Sequence, residues 1–186
     1  MESERCNVLF QCPRPYFVNG RRVVSRFQPV TSAPNVQPVV SNTADERGVV
    51  RARVLLADDQ AATIKRWRAL LEPQFEVVGD VADGEALVSE AARLAPDVIV
   101  ANIAIPALSG VSAAQTIMRA HPSARIVFAT VDADRQMLRK GLAAGALGYV
   151  LKVRDAEDLV PAVRAALRGE LMISPFPFDD ERESER

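Results

Sequence analysis

The segment RARVLLADDQ, residues 51–60, contains the pattern that decides the fold. An apolar run, ARVLLA over residues 52–57, ends abruptly in two adjacent carboxylates, Asp58 and Asp59. A run of this length without polar alternation is typical of a strand that is covered on both faces of a parallel sheet. Two acidic side chains repel each other at the end of a buried strand, and the pair therefore indicates a site that uses both.

Strand and helix patterns alternate along the chain that follows. The predicted strands cover residues 52–57, 75–81, 97–102, 125–130 and 147–151, and the predicted helices cover residues 61–72, 83–95, 110–120, 135–145 and 155–169. Strict alternation requires a parallel sheet with helices on both faces, which is a doubly wound α/β fold. Trp67 on the first helix is predicted to pack that helix onto the sheet; the alternative is an exposed contact for a partner.

Polar residues follow four of the predicted strands. Asp58 and Asp59 end the first strand, Asn102 the third and Thr130 the fourth, and Lys152 follows the fifth. Each residue alone is compatible with a helix cap, a turn or a solvated charge. Together they favour a site, because chemistry in doubly wound folds gathers at the carboxyl ends of the strands. An acid pair suits Mg²⁺, whereas a lysine and a hydroxyl suit phosphoryl oxygens.

Four segments around these residues resemble segments of a known protein family. VLLADD, PDVIVANIAIPALSG, VFAT and GALGYVLK resemble the marker segments of the response-regulator receiver domain, in order and over about residues 52 to 170. GYVLK and LADDQ resemble the subfamily whose receivers precede a helix-turn-helix domain. The resemblance implies a flavodoxin-like (βα)5 receiver fold with a five-stranded parallel sheet in the order 2-1-3-4-5. It also implies a role in two-component phosphorelay signalling rather than an enzyme.

The resemblance assigns roles to the strand-end residues. It implies that Asp58 and Asp59 hold Mg²⁺, that Thr130 is the switch hydroxyl, and that Lys152 contacts the phosphoryl oxygens. Tyr149 matches the aromatic side chain that swings inward on activation.

The chain departs from the family at the reacting atom itself. The phosphoryl acceptor of receivers lies four residues before a proline, here Pro106, and this position is Asn102 where the family has aspartate. An amide lacks the anionic oxygen that attacks phosphorus. We therefore expect no phosphorylation at Asn102, and only weak Mg²⁺ binding by Asp58, Asp59 and the Asn102 oxygen. The alternative is a working receiver that uses Mg²⁺ and another nucleophile, and Ser109 is the nearest hydroxyl in that loop by sequence.

Composition divides the chain into three parts. Residues 1–50 hold five of the 12 prolines and are predicted to be an irregular N-terminal extension without ordered structure. A start codon near Val50 would instead make this segment untranslated. Residues 51–170 are predicted to form the receiver, and residues 171–186 an acidic tail with no DNA-binding output domain. Cys6 and Cys12 are interpreted as ordinary thiols rather than a disulfide or half a metal site, since no further Cys or His lies near them.

The net charge of the chain bears on the kinds of partner that it can bind. Lys and Arg total 23 and Asp and Glu total 24, so the net charge of −1 gives no electrostatic case for direct nucleic-acid binding. The sequence lacks a secretory signal and a membrane-spanning apolar run, and a cytoplasmic location is predicted.

The leading prediction is an atypical stand-alone receiver that acts by binding signalling proteins. The partners expected are histidine kinases or response regulators, with pairing of two copies as a homodimer. One alternative is a fragment of a DNA-binding transcriptional regulator. A flavodoxin-like redox protein is a third class, but the acids in ADDQAATIK (residues 57–65) would repel a flavin phosphate.

Overall fold

The computed structural model describes residues 51–176 and the backbone of two short strands, Tyr16–Val18 and Arg21–Val23, which pair antiparallel. These strands are regular structure inside a segment that we predicted to be irregular. The Asn-Gly dipeptide between them is a strong sequence signal for a two-residue hairpin, which the proline count obscured. The other residues before 51, including both cysteines, and residues 177–186 lie outside the described part of the chain, so the predictions made for them stay predictions.

Five β/α repeats and one further strand make up the described domain. The strands are β1 (Arg53–Ala57), β2 (Glu76–Val81), β3 (Val98–Ala101), β4 (Ile126–Thr130), β5 (Gly148–Leu151) and β6 (Met172–Ile173). The helices are α1 (Ala61–Leu71), α2 (Gly84–Leu94), α3 (Gly110–Ala120), α4 (Arg135–Ala143) and α5 (Asp155–Leu167), with a 3₁₀ turn over Lys152–Arg154 before α5. The predicted helices and the first five strands agree with these bounds to within two residues at each end.

The six strands form one parallel sheet in the order β2-β1-β3-β4-β5-β6. The predicted doubly wound fold and the order of its five strands are confirmed. β6 was not predicted, because a two-residue strand has no periodicity to detect. It pairs with β5, and Ser174 and Phe176 after it are buried. The described part of the predicted tail, residues 171–176, therefore packs on the domain.

The sheet carries an apolar layer on each face, because successive strand residues point to opposite sides. Leu55, Ile99 and Phe128 pack in the layer that includes residues of α2 and α3. Val54 and Val100 pack in the layer that includes residues of α1 and α5. Trp67 belongs to this second layer and is fully buried, which confirms the prediction that it packs α1 onto the sheet.

Candidate functional site

Asp58 follows β1 directly and is buried, with 2% of its surface exposed. Its backbone N–H donates to the Val81 carbonyl at the end of β2 over 3.0 Å, so the sheet fixes the position of the residue. One carboxylate oxygen, Oδ1, accepts a hydrogen bond from the Gln60 backbone N–H at 2.9 Å, just before α1 begins. Asp59 is exposed. The two acids of the pair therefore occupy different environments.

The second oxygen of Asp58 forms an ion pair with Lys152. The distance from Asp58 Oδ2 to Lys152 Nζ is 2.5 Å, and the two side chains are 0% and 11% exposed. β3 and β4 lie between β1 and β5 in the sheet, so this contact joins the ends of strands that are not neighbours. A buried charge without a partner is destabilising, and each of the two residues therefore depends on the other.

Lys152 also lies over the aromatic ring of Trp67. Its Nζ is 5.5 Å from the ring centroid, within the range of a cation–π contact. The Trp67 indole N–H donates to Asp155 Oδ2 at 3.2 Å, and Asp155 is ion-paired to Arg66. The lysine of the site is thus in contact with a side chain that connects α1 to the first residue of α5.

Asn102 lies at the end of β3, next to Asp58, and 5% of its surface is exposed. Its backbone N–H donates to the Ala57 carbonyl at 2.8 Å. Both polar atoms of its side chain bind Ala104: Oδ1 accepts from the backbone N–H at 3.3 Å, and Nδ2 donates to the carbonyl at 3.1 Å. Only an amide can do both, because a carboxylate at neutral pH has no proton to donate.

Gly110 brings the start of α3 against the same strand end. A β-carbon at this position would lie 2.2 Å from the Asn102 carbonyl oxygen, so no larger residue fits without moving the backbone. The Gly110 N–H donates to the Ile103 carbonyl at 2.9 Å. Ser109, the N-cap of α3, accepts from the Ser112 backbone N–H through its hydroxyl at 3.3 Å. The loop after Asn102 is therefore closed by contacts within itself.

Thr130 and Tyr149 hold a second loop, the one after β4. The Thr130 hydroxyl oxygen accepts from the Asp132 backbone N–H at 3.2 Å, and the Tyr149 hydroxyl donates to the Asp132 carbonyl at 3.0 Å. Tyr149 is fully buried and stacks on Phe176, with the ring centroids 6.0 Å apart. Burial, and secondarily the charges of Asp132 and Asp134, raise the pKa of the Tyr149 hydroxyl well above its ordinary value.

A groove of about 610 Å³ opens beside the acid pair, between α1 and the end of β2. Asp58 and Asp59 line it together with Arg68 and Asp80. Arg68 forms ion pairs with both Asp80 and Glu72, and these contacts, led by the one to Asp80, raise its pKa. Charges on this wall of the groove are thus paired with one another.

The predicted site residues lie at the carboxyl edge of the sheet, except for Tyr149, which lies within β5. They do not form one cluster of contacts. Asp58 and Lys152 are in direct contact, and Asp59 lines the groove with Asp58. The side-chain hydrogen bonds described for Asn102 and Thr130 stay within their own loops.

The donor types fit a magnesium ion, and the oxygens of Asp58 and Asn102 also have protein partners. Two carboxylates and an amide oxygen are hard ligands of the kind that Mg²⁺ prefers. Both oxygens of Asp58 and the amide oxygen of Asn102 already have protein partners. Among the described residues, no group of three or more His, Cys, Asp or Glu side chains is arranged to hold a metal. A metal bound through Asp58 Oδ2 would share that oxygen with Lys152 or displace it.

Sequence reasoning missed two sets of contacts that support the site. Asp155 accepts a hydrogen bond from the Trp67 indole N–H. Asp158 Oδ2 accepts hydrogen bonds from the Arg154 guanidinium at 3.0 Å and from the Ser174 hydroxyl at 2.6 Å. Ser174 Oγ also accepts from the Leu151 backbone N–H at 3.2 Å, one residue before Lys152. The available signal was three acids in the first turn of α5, a position where negative charge is favourable without any tertiary partner.

This fold and this edge define a class of protein. A parallel sheet in the order β2-β1-β3-β4-β5, with an acid pair, an amide, a hydroxyl and a lysine at its carboxyl ends, is the framework of a signalling receiver. The family model described as "Response regulator receiver domain" matches residues 54–164, more than half of the chain. The chain belongs to this family, whose members are receiver domains of two-component response regulators. Receivers of this family interact with histidine kinases and other signalling proteins and generally bind Mg²⁺ at the phosphorylation site.

Individual relatives agree with the family assignment. The chain is 38% identical over 122 residues to the transcriptional regulatory protein YxjL of Bacillus subtilis, covering 64% of this chain and 56% of the relative. A two-component response regulator of the LuxR family from Aurantimonas has a similar structure, with a TM-score of 0.65 and 30% identity over 73% of this chain and 96% of that one. The receiver domain of the putative response regulator NarL from Mycobacterium tuberculosis is also similar, with a TM-score of 0.60 and 26% identity. The match covers 64% of this chain and 98% of that one. The chain thus spans little more than half of YxjL.

No helix in the described part of the chain combines the length and the apolar character needed to cross a bilayer.

Proposed function

We propose that this domain is an atypical receiver that does not accept a phosphoryl group at position 102 and acts by binding other signalling proteins. The observation that carries the proposal is Asn102 itself. A carboxylate at this position would be an anionic nucleophile, whereas the amide is neutral and weakly nucleophilic. Both of its polar atoms are engaged by Ala104, which favours a role in holding the loop.

The metal half of the site supports the same proposal. Receiver chemistry depends on a divalent ion that neutralises the transferring phosphoryl group. Here Lys152 is bound to Asp58 instead, and the loss of one negative charge at Asn102 weakens the attraction for a dication. We therefore propose that Mg²⁺ binds weakly.

Ser109 gains no support as a substitute nucleophile. Its hydroxyl caps α3 by accepting from the Ser112 N–H and donating to the Ser112 hydroxyl. This arrangement explains the serine without any reaction.

Two exposed valines favour protein contacts at the site edge. Val131, directly after Thr130, is 71% exposed, and Val153, directly after Lys152, is 78% exposed. These are the two large hydrophobic residues identified as exposed in the described part of the chain. We propose that they contribute to contacts with histidine kinases or response regulators, or with a second copy of this domain. The domain itself is proposed to make no direct contact with nucleic acid or a membrane.

A transcriptional output is the second candidate function. It is favoured by one observation: YxjL and a second relative, LiaR of Bacillus subtilis, which is 36% identical over 120 residues, are both transcriptional regulatory proteins. The matched region covers 56% and 57% of those proteins. Under this candidate the receiver would control transcription through a DNA-binding module that lies beyond the described residues or on a partner.

Phosphoryl transfer from acetyl phosphate tests the leading proposal. We expect the native protein to stay unlabelled with and without Mg²⁺, as read by intact-protein mass spectrometry. Asn102→Asp should gain one phosphoryl group in Mg²⁺, because Thr130 and Lys152 are still present and the reaction depends mainly on positioning and charge neutralisation. A stable Mg²⁺-dependent label on the native protein would overturn the proposal, and loss of that label in Ser109→Ala would identify the nucleophile.

The contact surface can be tested with matched substitutions. Val153→Ser should weaken binding to a histidine kinase or response regulator partner by about tenfold, since burying one such side chain contributes about 1.5 kcal/mol. Ala92→Ser, on the exposed side of α2, is the control and should leave affinity unchanged. Biolayer interferometry against each purified partner gives the affinities, and equal binding by all three proteins would exclude Val153 from the interface.

A further inference from the structure

The exposed side of α4 is basic. Arg135, Arg139 and Lys140 are exposed on this helix of nine residues, and the helix contains no acidic residue. Residues four apart on a helix lie on the same side, so Arg135 and Arg139 are neighbours, with Lys140 next to Arg139. We call these three side chains the basic face of α4. The face concentrates like charges that repel one another unless a negative group lies nearby.

Two cations of this face are not neutralised by the part of the chain that the structure describes. The ion pairs among the described residues do not include Arg139 or Lys140. On α2, by contrast, the exposed Arg93 is ion-paired to Glu90, three residues before it. The basic face of α4 therefore offers positive charge to a further, negatively charged group.

The described chain ends close to the start of α4. The ring of Phe176 stacks on Tyr149 with the centroids 6.0 Å apart, and only 6% of Phe176 is exposed. The Tyr149 hydroxyl donates to the carbonyl of Asp132, three residues before α4 begins. A β-carbon at Gly141 of α4 would lie 3.7 Å from the Tyr149 ring. Phe176 and α4 thus pack around the same tyrosine.

Ser174 fixes the point from which the chain continues. Its backbone N–H donates to the Tyr149 carbonyl at 2.8 Å, and its hydroxyl donates to Asp158 Oδ2 at 2.6 Å. The same hydroxyl oxygen accepts from the Leu151 N–H at 3.2 Å. Contacts to β5 and α5 therefore hold residue 176 beside α4, whatever follows it.

The ten residues that follow have the opposite charge. Residues 177–186, PFDDERESER, carry five acidic and two basic side chains, a net charge of −3, and we call them the acidic segment. Ten extended residues reach about 33 Å. A helix of nine residues is only about 13 Å long. The acidic segment can therefore reach every cation of the basic face from its attachment at Phe176.

We propose that the acidic segment binds the basic face of α4 in its own molecule. Charge complementarity supplies the attraction, and attachment at Phe176 makes the contact intramolecular, so that a weak interaction suffices. An anionic partner would compete with the segment, because both need the same cations. The inference concerns a different face of the domain from position 102 and does not depend on whether that position accepts a phosphoryl group.

A spin label on the acidic segment tests the contact in the full chain. Ser184→Cys carries a nitroxide, and Cys6→Ser with Cys12→Ser makes it the single thiol. Ser184 is uncharged, so every acid of the segment is kept. The nitroxide should broaden the backbone amide signals of α4 in the ¹⁵N NMR spectrum and leave those of α1, on the other face of the sheet, unchanged. The same sample with the nitroxide reduced by ascorbate is the reference.

Charge reversal on α4 separates a specific contact from the general effect of charge. In Arg139→Glu with Lys140→Glu, the broadening on α4 should disappear, because the face now repels the segment. Arg119→Glu with Arg164→Glu is the matched control: it reverses two exposed cations, on α3 and α5, and should leave the broadening as it was.

Reversing the segment as well should restore the contact. Adding Asp179→Lys, Asp180→Lys and Glu181→Lys to the α4 reversal recreates the attraction with opposite signs, and the broadening should return. Salt provides a test without any change on α4. In 1 M NaCl, where the Debye length falls to about 3 Å, the broadening should be lost from the labelled chain.

The outcomes decide the proposal in either direction. It is supported if the broadening on α4 is lost in salt and in the α4 reversal but not in the matched control. It is overturned if the label leaves α4 unchanged, if the broadening survives salt, or if the control pair abolishes it equally. Should the α4 reversal fail to fold, the salt titration decides. Broadening of an unlabelled ¹⁵N chain mixed with spin-labelled chain would assign the face to the segment of a second copy and would also overturn the proposal.

Discussion

The ends of β1 and β3 lie side by side in the sheet, yet they are held in opposite ways. Asp58 at the end of β1 is bound by Lys152, which directly follows β5, and two strands lie between β1 and β5 in the sheet. Asn102 at the end of β3 is bound by Ala104, two residues further along the chain. One half of the site is therefore ionic and long-range, and the other is neutral and local. The difference shows that neighbouring strand ends of one sheet can be held by contacts of unlike charge and range.

Removing the Asp58 carboxylate should give the largest loss of stability, because it breaks the ion pair with Lys152. Asp58→Ala leaves Lys152 partly buried without a counter-charge, and we expect a loss of about 3–5 kcal/mol in the free energy of unfolding. Asp59→Ala changes an exposed neighbour of the same charge and should stay within about 0.5 kcal/mol. Urea unfolding of both variants gives the comparison. Equal effects would mean that the ion pair contributes nothing specific.

Introducing an acid at position 102 should cause a smaller loss of stability, because it changes the contacts between Asn102 and Ala104 within one loop. In Asn102→Asp the hydrogen bond from Nδ2 to the Ala104 carbonyl is lost, and a negative charge is added beside Asp58. We expect a loss of about 1–3 kcal/mol in chelator, which Mg²⁺ should partly reverse. Chemical unfolding with EDTA and with Mg²⁺ measures both values. A variant as stable as the native protein in EDTA would show that the amide does not hold the loop.

The smallest loss of stability among these three substitutions is expected at Tyr149, whose hydroxyl binds the loop after β4. Tyr149→Phe removes the hydrogen bond to the Asp132 carbonyl and should lower stability by about 1 kcal/mol at neutral pH. The raised pKa of this hydroxyl adds a pH dependence. Its stabilisation is complete below about pH 10, the ordinary tyrosine value, and is lost above it as the unfolded chain ionises.

The native protein should therefore lose its advantage over Tyr149→Phe as the pH rises above about 10. Unfolding curves of the two proteins at neutral and alkaline pH measure the gap. A gap that stays constant with pH would show that Tyr149 ionises alike in both states.

The sequence patterns predicted most of the fold because they are repeated and local. The apolar runs of β1, β3 and β4 and the helical spacing of α1 each specify their element without reference to the rest of the chain. β6 was missed because two residues carry no period, and the N-terminal hairpin because prolines elsewhere in the segment outweighed its Asn-Gly signal.

The sequence predicted which residues lie at the candidate site but not which contacts they make with one another. Strand ends place Asp58, Asn102 and Lys152 at one edge, whatever their contacts. Lys152 contacts Asp58 across the ends of two intervening strands, β3 and β4. The spacing of residues in the sequence does not predict which acid the lysine contacts over that distance. The contacts of Asn102 were more accessible, since this residue type commonly binds the backbone two residues on.

β6 has a consequence for the behaviour of the domain in solution. An uncovered strand at the margin of a sheet presents unpaired N–H and C=O groups, and other chains can add to it and aggregate. The N–H groups of Met172 and Ser174 donate to the Leu147 and Tyr149 carbonyls at 3.0 and 2.8 Å and occupy acceptors along the outer margin of β5. The few residues after α5 thus cover the outer margin of β5 with a two-residue strand, which offers other chains a much shorter edge than β5 would.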